Sequence, residues 1–231
     1  MTRLDVLNLS LIRGQKMLVK DFSYCFTGGL VYALLGNNGA GKTTLLKTLA
    51  GLLTLEFNQV LIDGQDLRSM HEGERARIIS FLLQHSPEQP YCTAISRITH
   101  GLMPILGFNF SPDQKSMALI EQVAQRLNIQ HLLRRRLRDL SGGEQRLVHL
   151  AKCLINPNVR ILLLDEPSVF LDFSQAHRLG HYLREMAHFG KIIIFASHDA
   201  AFIENYSDRA IKIGPASKHF VMASPEGVAI Q

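Results

Sequence analysis

The sequence predicts an α/β fold with a mixed, mostly parallel sheet, an antiparallel β region near the N-terminus and an inserted α-helical subdomain. Two short apolar runs, 31–35 and 161–164, have the length and composition of strands buried on both faces of a parallel sheet. Apolar residues at helical spacing dominate between the predicted strands. Between residues 86 and 156 prolines punctuate the chain and no strand pattern is convincing, which indicates the helical subdomain.

Length and composition agree with a single domain over residues 1–231. The 231 residues, 46% of them hydrophobic, suffice for a substantial core. We expect 1–85 and 157–231 to form the core with its β region, and 86–156 to form the helical subdomain. No run approaches the about 18 apolar residues of a membrane span, and the N-terminus lacks the apolar stretch of a signal peptide, so a cytoplasmic location is expected. The three cysteines have no metal-ligand spacing and are expected to be reduced.

Local patterns predict individual strands and helices. Alternating Leu4, Val6 and Leu9 predict an edge strand at the start of the chain. Further strands are predicted over 60–63, 77–83, 160–164, 191–196 and 209–213. The segment Ser111-Pro112-Asp113-Gln114 is typical of a helix start and precedes an apolar face that ends at Leu127.

The first chemically informative segment is the loop Gly36-Asn37-Asn38-Gly39-Ala40-Gly41-Lys42-Thr43-Thr44, which fits the pattern G-x-x-x-x-G-K-T. It lies between a predicted strand and a predicted helix over 42–49. Glycines let the backbone turn tightly so that its N–H groups converge on phosphate oxygens, and the helix adds its positive end. Lys42 is expected to reach the β and γ phosphates and Thr43 to hold Mg²⁺. The flanking elements favour this function over a glycine-rich turn with an incidental lysine.

A second glycine-rich segment is Leu140-Ser141-Gly142-Gly143-Glu144-Gln145. Ser141 and Glu144 have the spacing of a capping box, and apolar residues follow at helical spacing, so a helix begins at Ser141. A plain cap does not need two glycines, whereas close approach of a phosphate to the backbone does. The segment alone leaves both interpretations open.

Two adjacent carboxylates, Asp165 and Glu166, end the apolar run that begins at Ile161. Ligands of parallel sheets bind at the carboxyl ends of the strands, which places both side chains beside the first loop. Asp165 is suited to position Mg²⁺, and Glu166 to orient or deprotonate an attacking water. On their own, paired acids after a strand are also common in solvated loops.

The order and spacing of these three segments resemble those of the ATPase subunits of ABC transporters, over nearly the whole chain. The resemblance implies a P-loop NTPase (RecA-like) core that binds and hydrolyses ATP with Mg²⁺. It also implies that Gln84 is the Q-loop glutamine, which senses Mg²⁺ and the membrane partner. Asp172 is then the D-loop aspartate that contacts the opposite subunit, and His198 the switch histidine at the γ-phosphate.

In this family two subunits pack head to tail around two ATP molecules, as a homodimer or pseudo-dimer. Each site takes from one subunit Asn37, Asn38, Gly39, Ala40, Gly41, Lys42, Thr43, Thr44, Gln84, Asp165, Glu166 and His198, and from the other Ser141, Gly142, Gly143 and Glu144. ATP closes the dimer, and polytopic membrane permease subunits are pulled with it. The resemblance therefore implies a peripheral protein on the inner face of the cell membrane, which serves a substrate-binding protein indirectly.

The resemblance is closest to the ATPases of importers for iron-siderophores, haem and cobalamin. Residues 93–104 and the bulky Phe170 fit that group, whereas Leu102 stands where an arginine is usual. One departure concerns the nucleotide, because the family usually stacks adenine on an aromatic residue before the first loop, and this chain has Leu11-Ile12-Arg13-Gly14 there. Either the Arg13 guanidinium lies on the adenine or Ile12 packs beneath it.

The net charge of +5 and the run 134–138, with four arginines, raise nucleic acid or anionic lipid as further partners. No interleaved aromatic residues support base stacking, so no nucleic-acid partner is expected. Three more functions fit the same motifs: an ATPase of another membrane complex, such as a haem or lipid exporter, a soluble non-transport ABC ATPase, and a phosphate-binding module without turnover.

Overall fold

The computed structural model describes residues 1–53, 59–84, 91–107, 112–214 and 221–223, and places the strands in two sheets. The strands are β1 (Arg3–Arg13), β2 (Lys16–Thr27), β3 (Val31–Leu35), β4 (Val60–Ile62), β5 (Gln65–Asp66), β6 (Ile79–Leu82), β7 (Ile161–Asp165), β8 (Ile192–Ala196), β9 (Arg209–Lys212) and β10 (Val221–Ala223). The α-helices are α1 (Lys42–Leu49), α2 (Glu72–Ile78), α3 (Ala94–Thr99), α4 (Met103–Leu106), α5 (Gln114–Leu127), α6 (Gly142–Leu154), α7 (Phe173–His188) and α8 (Ala200–Tyr206).

The larger sheet has the order β10-β9-β3-β8-β7-β6. Every neighbouring pair is parallel except β9 and β10, which are antiparallel. The predicted strands in this sheet are confirmed to within about two residues, with one shortened: α2 continues to Ile78, so the strand predicted over 77–83 covers only Ile79–Leu82. The mixed, mostly parallel sheet of the predicted fold class is confirmed.

The smaller sheet, β2-β1-β4-β5, is antiparallel and is the predicted N-terminal β region. Leu4, Val6 and Leu9 are all buried, and a register shift between Val6 and Leu9 places Leu9 in the same cluster as the other two. The prediction that they form an edge strand is wrong, because β4 pairs with the other side of β1. That pairing joins segments far apart in the sequence, and the local pattern of β1 carries no sign of it.

The core has two parts, one on each face of the larger sheet. On one face Val31, Ala33 and Leu162 pack with helices α3, α5, α6 and α7. On the other face Tyr32 and Leu34 pack with β1, β2 and α1. Because successive side chains of a strand point to opposite faces, strands buried on both faces are expected to be apolar, as β3, β8 and the first four residues of β7 are.

Helices α3 to α6 lie between β6 and β7 in the chain. In the described residues from 91 to 156 the β pairing is limited to one isolated bridge between Thr93 and Arg136. Helix α5 begins at Gln114 with Asp113 as its cap, and it ends at Leu127 as predicted; Ser111 lies outside the described residues. In the portion of the chain that the structure describes, no helix is both long enough and apolar enough to cross a bilayer.

Candidate nucleotide site

The first loop, 36–44, leads from β3 directly into α1. Gly39 and Gly41 adopt positive φ angles of 77° and 102°, in the left-handed region that favours glycine. Gly41 also lies against the β1–β2 hairpin, where an added Cβ would be 3.0 Å from Cβ of Leu18. Among the described residues, no hydrogen bond satisfies the backbone N–H groups of Lys42, Thr43 or Thr44. The loop therefore presents an open helix N-terminus, which suits an anion.

Lys42 is buried, and its ammonium group is held inside the loop. Nζ donates hydrogen bonds to the carbonyl oxygens of Gly36 at 2.6 Å and Asn37 at 3.4 Å. A second ammonium group lies nearby, because a Cβ added at Gly39 would be 3.9 Å from Nζ of Lys16. Sequence analysis missed Lys16, which has no motif of its own and reaches the loop only through the hairpin turn.

Thr43 and Asp165 meet at the carboxyl end of β7. The Thr43 hydroxyl donates to Oδ2 of Asp165 at 2.7 Å. Burial raises the pKa of the Asp165 carboxyl, and the hydrogen bond from Thr43 opposes that rise. These two oxygen atoms are the ligand type that Mg²⁺ prefers, and a cation there would offset the cost of burying the carboxylate.

Glu166 has a positive φ of 51°, which is uncommon outside glycine and turns the chain sharply after β7. Its N–H donates to the carbonyl of Ala196 at the end of β8. Its buried Oε2 accepts no well-aligned hydrogen bond from the described residues, but lies 2.9 Å from Nδ1 of His198, whose side chain is 71% exposed. The pair thus joins a buried carboxylate to a histidine at the surface.

Arg146, in the second turn of α6, is a buried cation that sequence analysis missed. Its Nη2 donates to the carbonyls of Asp165 at 2.6 Å and Glu166 at 2.7 Å. Its Nη1 donates to the carbonyls of Leu83 at 2.9 Å and Gln84 at 3.3 Å. Burial lowers the pKa of the guanidinium. The only sequence signal was a charged residue beside the apolar face of a predicted helix.

The second glycine-rich segment, 140–145, begins α6 with the predicted capping box. Glu144 N–H donates to Oγ of Ser141 at 3.3 Å, and Ser141 N–H donates to the Glu144 carboxylate at 2.7 Å. The two glycines differ. A Cβ at Gly143 would lie 2.6 Å from the carbonyl oxygen of Phe170, whereas one at Gly142 would meet nothing within 4 Å. Packing inside this chain therefore explains Gly143, but it does not explain Gly142.

The remaining predicted residues lie at the margins of this region. Asp172 caps α7 by accepting from the N–H of Gln175 at 2.8 Å. Gln84 is exposed, and its carbonyl oxygen accepts from Arg146. Arg13 is exposed at the end of β1, opposite Lys16 in the hairpin, and Ile12 is 61% exposed.

The structure thus brings together the first loop, Asp165, Glu166, His198 and, through Arg146, the backbone of Gln84. No hydrogen bond between described residues joins the segment 141–144 to the first loop. The amides of Gly142 and Gly143 also make no hydrogen bond with any described residue. Within the described residues, the start of α6 is therefore a second helix N-terminus whose first amides have no hydrogen-bond partner.

Comparison with known proteins shows the class of protein that this fold and site define. The family described as ABC transporter matches residues 19–169, so the chain belongs to that family. It is an ATP-binding protein and an ABC-type ATPase. Among solved structures, a nucleotide-free ATP-binding cassette from an ABC transporter superposes with a TM-score of 0.83 at 20% identity, covering 98% of this chain and 93% of that one. The predicted fold class is confirmed.

Three curated relatives each match more than four fifths of this chain. Hemin import ATP-binding protein HmuV of Shewanella denitrificans is 34% identical over 220 residues, which cover 92% of this chain and 84% of that protein. Ribose import ATP-binding protein RbsA of Hahella chejuensis is 35% identical over 195 residues, and the match covers 83% of this chain but only 38% of that protein. A Clostridium tetani relative is likewise covered over only 45% of its length. The predicted resemblance to haem-type importer ATPases is confirmed.

Proposed function

We propose that the chain is the ATP-hydrolysing subunit of an importer for a metal chelate of the iron-siderophore, haem or cobalamin type. Similarity to several proteins named for hemin import supports this substrate class. The observation that carries the mechanism is the contrast between the first loop, with Asp165, Glu166 and His198 gathered beside it, and a separate, open helix N-terminus at Gly142. We infer that each such cluster is completed by a second copy of the chain, bound head to tail.

ATP binding is assigned to the first loop. The amides of the first turn of α1 and the ammonium group of Lys42 are placed to bind phosphate oxygens, with Asn37, Asn38 and Ala40 in the same loop. Thr43, Asp165 and Gln84 are proposed to hold Mg²⁺, which when bound would neutralise negative charge on the phosphates. The exposed Arg13 or Ile12 then contacts the adenine.

Hydrolysis is assigned to Glu166 and His198. Glu166 is held by its backbone at the sheet edge, with Oε2 2.9 Å from the histidine, so its carboxylate is positioned to orient or deprotonate water. His198 is exposed on the other side of this contact, which supports its proposed role at the γ-phosphate. Loss of the γ-phosphate removes that contact, which links hydrolysis to opening of the dimer.

The partner site is assigned to Ser141, Gly142, Gly143 and Glu144, with Asp172 at the dimer contact. The open amides of Gly142 and Gly143 suit the γ-phosphate held by the opposite subunit. Gly143 lies close to Phe170 at the turn before Asp172, which supports the assignment of the segment 140–145 and Asp172 to one dimer surface. The dimer is then closed by ATP at both sites.

Permease subunits are the proposed membrane partners, and a substrate-binding protein the indirect one. A groove of about 430 Å³ runs along α2 and the end of α1, lined by Gly51, Leu52, Arg75, Ala76 and Phe81 among others. The adjoining α4 is joined to α2 by a hydrogen bond from Arg77 to the Pro104 carbonyl at 3.0 Å. We propose that a permease helix docks here, with the chain on the inner face of the membrane and with 86–156 as the helical subdomain.

The test is static light scattering of Glu166→Gln with and without Mg-ATP. Removal of the proposed base should lower turnover at least about a hundredfold while ATP binding persists, so the variant should shift from monomer to dimer on adding ATP. Glu204→Gln, an exposed substitution on α8, is the matched control and should hydrolyse ATP like the wild type. A Glu166→Gln chain that still hydrolyses ATP at the wild-type rate would exclude the assigned base.

Mixing two variants tests whether the site is shared. Ser141→Arg alone should bind ATP but fail to dimerise, because the new side chain fills the partner's phosphate position. A mixed dimer of Ser141→Arg and Glu166→Gln contains one site with both groups intact, so mixing should restore part of the ATPase activity. No gain over either variant alone would contradict the head-to-tail arrangement.

An experiment on the direction and substrate of transport requires the complex with the membrane permease. Reconstituted with its permease in vesicles, the importer should show ATPase activity that rises when a binding protein loaded with the metal chelate is added. Loaded ribose-binding protein is the control, since a ribose importer is among the relatives. Stimulation by chelate from the cytoplasmic side alone would favour an exporter.

A further inference from the structure

Two histidines one helical turn apart form a cluster that the ATPase mechanism does not use. His177 and His181 lie on the exposed face of α7, and their Nε2 atoms are 3.1 Å apart. They border an open groove of about 780 Å³ between α5 and α7. Both rings are therefore accessible to a solute.

The spacing of the two nitrogens matches that of two ligands on one metal ion. Tetrahedral zinc with Zn–N bonds of 2.0–2.1 Å requires ligand nitrogens about 3.3 Å apart. Residues i and i+4 of a helix lie on the same face, so α7 holds the pair in this position without any rearrangement of the backbone. A histidine pair that only shares a hydrogen bond would satisfy the same distance, and the experiment below distinguishes the two.

The surroundings of His177 orient it as a ligand. Its Nδ1 is hydrogen-bonded to the Tyr206 hydroxyl of α8, and its ring stacks against Phe173. Metal-binding histidines commonly donate their other ring N–H to an oxygen atom of a carboxylate, a carbonyl or water. In the tautomer in which Nδ1 donates to the Tyr206 oxygen, a lone pair is left on Nε2. Tyr206 is itself buried, with its ring pressed against Gly180, so this orientation is fixed by packing.

We propose that His177 and His181 bind a divalent transition-metal ion, such as Zn²⁺, through their Nε2 atoms. Among the described residues, no third histidine, cysteine or carboxylate joins the pair. Glu185, one turn further along α7, is engaged by Arg126 at 2.7 Å. Water or an oxygen ligand from solution completes the coordination. Imidazole ligands select Zn²⁺, Cu²⁺ and Ni²⁺ over Mg²⁺, so this site is chemically distinct from the Thr43–Asp165 pair.

The test is titration calorimetry of the tag-free chain with ZnCl₂, in a non-chelating buffer without nucleotide. The background carries Cys25→Ser, because the exposed thiol of Cys25 could also bind zinc. We expect one Zn²⁺ per chain, binding at least about tenfold more weakly in His181→Gln. His188→Gln removes another exposed histidine of α7 outside the pair and should bind zinc like the background protein.

A spectroscopic measurement separates ligation from structural support. Cu²⁺ bound to the background protein should show an electron paramagnetic resonance signal of two nitrogen ligands, and His181→Gln should show one. Tyr206→Phe keeps the ring packing but removes the hydroxyl, and should weaken zinc binding while two nitrogens remain. Equal zinc affinity in the background protein and His181→Gln, with both folded by circular dichroism, would overturn the proposal, as would the absence of zinc binding.

Discussion

The two glycine-rich loops of this chain begin helices in the same way, but their surroundings differ. Around the first loop, Lys42 is buried, Thr43 is hydrogen-bonded to Asp165, and the β1–β2 hairpin covers Gly41. At the second loop, Ser141 and Gly142 are exposed, and the cap is made by the helix's own Glu144. Folding of one chain completes the surroundings of the first loop and leaves the second loop open.

Behind its open end, α6 is firmly anchored. Arg146 joins it to the backbone of Gln84, Asp165 and Glu166, and Gly143 joins it to Phe170. The exposed start of α6 is therefore linked through Arg146 to the backbone of Glu166, the carboxylate proposed as the base. Binding of a partner's phosphate at Gly142 would then affect the position of Glu166 through these contacts. The following substitutions test this link.

The largest effect is expected from breaking the Arg146 anchor. Lysine at this position offers one compact donor group in place of a planar fork that reaches four carbonyls, so buried carbonyls lose their partners. We expect Arg146→Lys to lower the free energy of unfolding by about 3 kcal/mol, measured by urea denaturation. ATPase activity should fall as well, because the backbone of Asp165 and Glu166 is no longer held.

Arg135→Lys is the matched control for this substitution. Arg135 also contacts α6, through Glu144 at 3.4 Å, but its side chain is 45% exposed. The control should change stability by less than about 0.5 kcal/mol. Equal effects of the two substitutions would mean that Arg146 does not anchor the helix.

Separate substitutions of Gly142 and Gly143 in the second loop should distinguish packing within the chain from binding to a partner. Gly143→Ala places a Cβ 2.6 Å from the Phe170 carbonyl and should destabilise the isolated chain by about 2 kcal/mol. The Cβ added by Gly142→Ala meets no atom within 4 Å, so the unfolding temperature of the isolated chain should stay the same or rise slightly. The same substitution should lower ATP-dependent dimer formation. If Gly142→Ala dimerised like the wild type, close approach of a phosphate at this position would be excluded.

A smaller effect is expected from acidification, through His149 on the anchored side of α6. Burial, reinforced by Arg97, lowers the pKa of His149 to about 4, below the about 6.5 of an unfolded chain. The unfolded state thus binds more protons between these values, and stability is lost as pH falls from about 6.5 towards 4. Because His149 is partly exposed, the effect is reduced by solvent screening. Between pH 7 and pH 5, the free energy of unfolding of His149→Gln should fall by about 1 kcal/mol less than that of the wild type. His188→Gln, at an exposed position, should leave the loss unchanged.

Much of the fold was predictable because its signals are local. The capping box at Ser141, the glycine pattern before Lys42 and the apolar run that ends at Asp165 each lie within about ten residues, and the corresponding elements begin or end where predicted. The contacts that were missed join distant segments: β4 beside β1, and Arg146 beneath Glu166. Close approach of Gly143 to Phe170 likewise depends on packing that no single segment encodes. The roles of the site residues remain predictions.

The smallest effect concerns the adenine, for which the hairpin beside the first loop offers Arg13 and Ile12 in place of an aromatic residue. If the guanidinium lies on the base, Arg13→Ala should weaken ATP binding by about 0.5 to 1 kcal/mol, a two- to fivefold change in Kd by titration calorimetry, and Ile12→Ala should change little. The reverse result would assign the contact to Ile12, which is 61% exposed. Because this chain lacks the aromatic residue on which the family usually stacks adenine, the wild type should discriminate ATP from GTP less than Arg13→Tyr does. A wild-type preference for ATP equal to that of Arg13→Tyr would show that other residues recognise the adenine.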